Sequence, residues 1–149
     1  MPEIKYPYKI YLKGPWQYFW VGLMPQTAEF LGEGTVRLPT SWTTLFGNAI
    51  GKVRFQRAFH RPTNLEKNEH VFLVFEGVGG LRNIFFNKNE MMAETNKLAR
   101  FSCEVEITDL LQPFNQLELV IERNGSEREN EPVGVRKPVR LEIRKGECL

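Results

Sequence analysis

Apolar residues recur at alternate positions over several short stretches of the chain. Val71-Phe72-Leu73-Val74-Phe75-Glu76-Gly77-Val78 is followed by Ile84-Phe85-Phe86-Asn87, then by a stretch from Phe101 to Leu111, and then by Leu117 to Ile121. Each run is bounded by Gly, Asn or Pro, and short period-two runs separated by turn residues predict the strands of a β-sandwich. Phe101, Cys103, Val105 and Ile107 alternate with Ser102, Glu104 and Glu106, the pattern of a strand with one face in the core and one in water. Leu117, Leu119 and Ile121 likewise oppose Glu118, Val120 and Glu122. Between these two strands, Thr108-Asp109-Leu110-Leu111 predicts one helical turn capped by Thr108, before Pro113 and Asn115 reverse the chain.

The flanking segments follow the same logic. In Trp16-Gln17-Tyr18-Phe19-Trp20, period two places Trp16, Tyr18 and Trp20 on one face. Such a stripe either fills the core or stacks sugars, and the core reading is preferred because large aromatics are mostly buried. Residues 22 to 35 read as a connection, and Val36 to Trp42 as an edge segment ended by Pro39. After a turn at Asn48 to Gly51, Lys52 to Phe59 reads as a strand. Its apolar side, Val53, Phe55 and Phe59, includes Arg57, which points to a bulge or a strand end facing a cleft. Arg61 to Glu69 is a polar connection, Arg123 to Glu131 a charged one, and Val139 to Arg144 the closing strand.

Composition narrows the function classes. At 149 residues the chain reads as a single domain, 1–149, able to bury a core without a metal or disulfide framework. A formal charge of only +2 gives no general attraction to nucleic acid or anionic lipid. No stretch approaches the roughly 20 apolar residues of a membrane span. The start, Met1-Pro2-Glu3-Ile4-Lys5, lacks the apolar segment of a signal peptide, so the expected location is cytoplasmic. Asn124-Gly125-Ser126 matches a glycosylation acceptor, which matters only on a secretory route. Cys103 and Cys148 make no disulfide framework.

Candidate chemistry is sparse. Glu104 and Glu106 share a strand face with Cα atoms about 6 to 7 Å apart, within reach of a glycosidase carboxylate pair. A solvated strand face is the preferred reading, since nothing in the sequence raises either pKa. His60 and His70 are ten residues apart and lack the near neighbour of a local metal pair. Cys103, on an apolar strand face, reads as an inert small hydrophobe. Asp109 is the only aspartate, so no acidic calcium loop is present and neither a metal nor a cofactor is expected.

Phe75-Glu76-Gly77-Val78, Ile84-Phe85-Phe86-Asn87, and Phe101 with Glu106-Ile107-Thr108-Asp109-Leu110-Leu111 and Pro113 together resemble the N-terminal sugar-binding domain of glycoside hydrolase family 2 enzymes, the β-galactosidases and β-glucuronidases. Leu12-Lys13-Gly14-Pro15-Trp16, Leu38-Pro39 with Trp42, and Gly134-Val135-Arg136-Lys137-Pro138-Val139 extend the likeness over about residues 12 to 144. It implies an all-β antiparallel sandwich, a jelly roll of the galactose-binding-domain type. It also implies a sugar subsite at the loop end: Asn48, in an N-x-x-G turn closed by Gly51, and an acidic residue from the loop holding Glu129, Asn130 and Glu131. Two departures stand out. Asn87-Lys88-Asn89 replaces the family's Asn-Gly hairpin, putting a side chain where Gly is usual, and Pro113-Phe114-Asn115 lacks the family's turn glycine. The family's catalytic carboxylates lie on a separate barrel of roughly 250 residues, which a 149-residue chain cannot also hold.

The expected function is a non-catalytic carbohydrate-binding module for a galactoside or glucuronide. In it Trp42 stacks the sugar while Asn48, Arg57 and the Glu129, Asn130, Glu131 loop bond its hydroxyls. The alternative is an interaction or scaffold domain that uses a face or an edge strand to bind a partner protein or a second copy of itself.

Overall fold

The protein is described by a computed structural model over residues 6–21, 32–92, 94–95, 102–125 and 133–146. It is an antiparallel all-β sandwich. One sheet has the order β1-β14-β6-β11-β10, the other β3-β2-β5-β12-β8-β9, and a small third sheet β4-β13-β7 closes one end. The first comprises β1 (Tyr8–Tyr11), β6 (Glu69–Phe75), β10 (Glu94–Thr95), β11 (Cys103–Glu106) and β14 (Arg140–Lys145). The second comprises β2 (Trp16–Val21), β3 (Glu33–Val36), β5 (Gly51–His60), β8 (Leu81–Phe86), β9 (Asn89–Met91) and β12 (Phe114–Arg123). The third comprises β4 (Thr40–Ser41), β7 (Val78–Gly79) and β13 (Gly134–Val135).

The alternation in the sequence is the alternation in the core. Val53, Phe55, Leu117, Leu119, Ile121, Ile84 and Phe86 face Val71, Leu73, Phe75, Leu141 and Ile143, all buried. The pairing Leu119↔Phe55 and Leu119↔Ile84 keeps these residues in one layer, because a one-residue slip would turn every side chain to the other face. Trp16 and Trp20 are buried and Tyr18 half-buried, so the aromatic stripe fills the core.

Several boundaries differ from the sequence reading. The segment from Val36 to Trp42 is not one edge strand: β3 ends at Val36, β4 pairs with β13, and Ser41 caps a one-turn helix, α1 (Trp42–Phe46), accepting the Thr44 N–H at 3.2 Å. Gly134 is required opposite that cap, since its φ is 115° and a Cβ would lie 2.6 Å from the Trp42 nitrogen. The turn after β11 is a 3₁₀ turn, Thr108–Leu110, but Thr108 does not cap it. The Thr108 hydroxyl instead accepts the Val71 N–H and donates to Glu106, tying β6 to β11. The hairpin at Asn87-Lys88 is the tight two-residue form, with Phe86 paired to Asn89 and φ of 50° and 71° at the two turn residues.

Candidate functional site

The residues expected to form one sugar site do not sit together. Trp42 is 1% exposed. Its ring meets Trp20 and Phe46 edge-on, with centroids 5.5 and 5.0 Å away, and its indole N–H donates to the Ala49 carbonyl. The stacking role expected of Trp42 is therefore corrected: α1 turns the ring inward, where it anchors the loop that carries Asn48. The buried neighbours that capture it, Trp20 and Phe46, are distant in sequence or hidden in a helix that the period-two pattern does not reveal.

Asn48 is exposed, just after α1. Its carbonyl accepts an Arg123 guanidinium N–H at 2.6 Å, and the same N–H reaches the Ala49 carbonyl at 3.4 Å. The end of β12 thereby holds the backbone at Asn48. Glu129, Asn130 and Glu131 lie outside the described residues, but the strands on either side of their loop are placed. Arg123 at its start bonds Asn48, and Val133 at its end accepts the Trp42 N–H at 3.1 Å. Arg123 and Val133, the described residues nearest to it with these bonds, both lie at the Asn48 end of the sandwich.

Arg57 belongs elsewhere. Gly51 and Arg57 are six residues apart on β5, about 20 Å, so Arg57 lies toward the other end of the strand. Its Nε donates to the Lys13 carbonyl at 2.9 Å and its Nη1 to the Ala58 carbonyl. That is how an arginine with core-facing parity escapes burial: it reaches past the strand to backbone carbonyls. It lines a depression with Pro15, Gln17, Thr35, Ala58 and Gln116.

Glu104 and Glu106 are both engaged. Arg144 forks onto Glu104 with bonds of 2.7 and 3.1 Å, which hold its carboxyl below the usual carboxylate range. His70 Nδ1 and the Thr108 hydroxyl bond Glu106 at 2.8 and 2.7 Å and lower its pKa as well. A general acid needs a raised pKa, and both shifts run the other way. His60 packs edge-on against Phe114. Burial, with the charge of Glu104 second, pushes the Cys103 thiol up to about 11, away from the thiolate. Among the described residues no group of three or more His, Cys, Asp or Glu is placed to hold a metal ion, and no helix is long and apolar enough to cross a membrane.

This architecture defines a β-sandwich domain of the kind found within β-glycosidases, as comparison with solved structures shows. A β-glucuronidase from an uncultured Clostridium sp. superposes with a TM-score of 0.72 at 17% identity, over 97% of this chain and 30% of that one. A Faecalibacterium prausnitzii β-glucuronidase gives 0.69 at 16% identity, over 97% and 33%, and a Bacteroides vulgatus β-glycosidase 0.65 at 16%, over 91% and 20%. At these identities the likeness bears on the fold alone, and it agrees with the antiparallel all-β sandwich that the sequence resemblance implied. The chain spans about a fifth to a third of the length of these structures. No family model and no curated protein matches it.

Proposed function

We propose that this chain is a non-catalytic carbohydrate-binding module for a galactoside or glucuronide, with its subsite at the Asn48 end of the sandwich. The observation that carries this reading is the fold shared, over more than nine-tenths of the chain, with one domain of β-glucuronidases. The exposed Asn48, on a backbone pinned by Arg123, supports the position of the subsite. With Trp42 in the core, binding at this end relies on hydrogen bonds from Asn48 and from the loop of Glu129, Asn130 and Glu131, so the affinity is weak. The test is a thermal-shift titration with galactosides and glucuronides at millimolar concentration, since a ligand of the folded state raises Tm. Asn48→Ala should leave the unliganded Tm unchanged and abolish the shift; an undiminished shift removes Asn48 from the site.

A second reading, a protein-interaction domain, is favoured by one feature. Strand β1 is an outer strand of its sheet and carries Tyr8 and Tyr11, each about half exposed. A stable oligomer in size-exclusion chromatography, together with no sugar-induced shift, would select it.

A further inference from the structure

The outer face of the six-stranded sheet carries two adjoining depressions that the reading above does not use. The first, about 380 Å³, has Pro15, Gln17, Thr35, Arg57, Ala58 and Gln116 around it. The second, about 340 Å³, is lined by Asn87, Lys88, Gln112, Phe114, Asn115 and Gln116. Gln116 borders both. The register explains the trough: Gln116 pairs with Ala58 and Phe114 with His60, so the small Ala58 leaves low ground between the taller side chains of β2 and β12. From β5 to β8 the trough crosses about 10 Å, the span of two pyranose rings.

Its chemistry is specific. The side chains of Gln17, Thr35, Gln112, Gln116 and Lys88 make no hydrogen bond within the described structure, so their donors and acceptors are available. Asn87, Asn115 and Arg57 are held by internal bonds and form fixed walls. Phe114 is 57% exposed and offers a ring steadied by His60. No carboxylate lines either depression among the described residues, and Lys88 and Arg57 supply positive charge. Free amides around one exposed ring suit a ligand that is apolar on its flat face and hydroxylated at its rim.

We propose that this trough is a second saccharide-binding site, which takes a linear oligosaccharide of at least two units with an acidic sugar beside Lys88. The sugar's apolar face lies on Phe114, and Gln17, Thr35, Gln112 and Gln116 bond its hydroxyls. The site stands whether or not the Asn48 end binds a sugar.

Digalacturonate titrated into the ¹⁵N-labelled full chain tests it. Saturable shifts are expected in the side-chain amides of Gln17, Gln112 and Gln116 and in the backbone of residues 58 and 114–116. Phe114→Ala and Gln116→Ala should each weaken binding roughly five- to tenfold with Tm unchanged, whereas Asn48→Ala should leave this affinity intact. No saturable shift, or shifts confined to the Asn48 end, would overturn the proposal; so would full affinity in the Phe114→Ala, Gln116→Ala double variant.

Discussion

Lys88 occupies the left-handed region, with φ of 71°, in a turn where glycine has no Cβ to strain. The preceding residue explains why the tight turn survives. Asn87 also has positive φ, which Asn tolerates, and its side chain accepts the Gln116 N–H and donates to Leu110 and Asn115. Lys88→Gly should therefore raise stability by about 0.5 to 1 kcal/mol in denaturant unfolding. A loss of stability would show that the lysine makes a compensating contact. Asn115 is fully buried and linked to Asn87, Gln112 and Phe59. Asn115→Leu removes the partners of those groups while keeping the volume, and should cost about 2 to 3 kcal/mol in the same measurement. The sequence marked Asn115 only as a turn residue, because beyond the local Gln112 its amide's partners lie on two other segments, at Asn87 and Phe59.

At the scale of elements, each strand needs its partner to bury its apolar face. Val105 on β11 is buried opposite Leu73 of β6 and belongs to the shared core. Val105→Asp puts an unpaired charge there and should abolish cooperative thermal unfolding, followed by circular dichroism; a retained sharp transition would contradict the strand assignment. Period-two strands were legible in the chain because the pattern is local. Helix α1 was not, since five residues carry too little periodicity and its two buried aromatics, Trp42 and Phe46, read equally well as strand residues.

At the scale of the molecule, the outer face of the β1-β14-β6-β11-β10 sheet is bound by charge. Arg144 bonds Glu104 and Glu142, Arg140 bonds Glu142 and Glu76, and the Arg144 guanidinium sits 4.0 Å over the Phe72 ring. Burial alone would raise the Glu142 pKa, but its bonds to Arg140 and Arg144 outweigh that and lower it; the bond to Arg144 lowers Glu104. A carboxylate with a lowered folded-state pKa contributes stability that is fully present above its unfolded value, near 4.3 for Glu, and is lost as pH falls through the folded value. Tm should thus hold steady above about pH 5 and fall progressively below about pH 4. Arg144→Met should lower Tm at pH 7 and flatten that acid limb; an unchanged acid limb would exclude the network as its origin.

The sequence by itself determined the fold class and the longer strands with most of their inward-facing residues, since alternation along a strand and turn chemistry act over a few neighbouring residues. It also placed Asn48 in a turn closed by Gly51. Only the tertiary structure decided that Trp42 is a core anchor, that Arg57 reaches the Lys13 carbonyl, and that Gln17, Ala58, Gln116 and Phe114 share a trough. Those facts depend on strand register and on which segments meet across the sheet, and no local pattern encodes either.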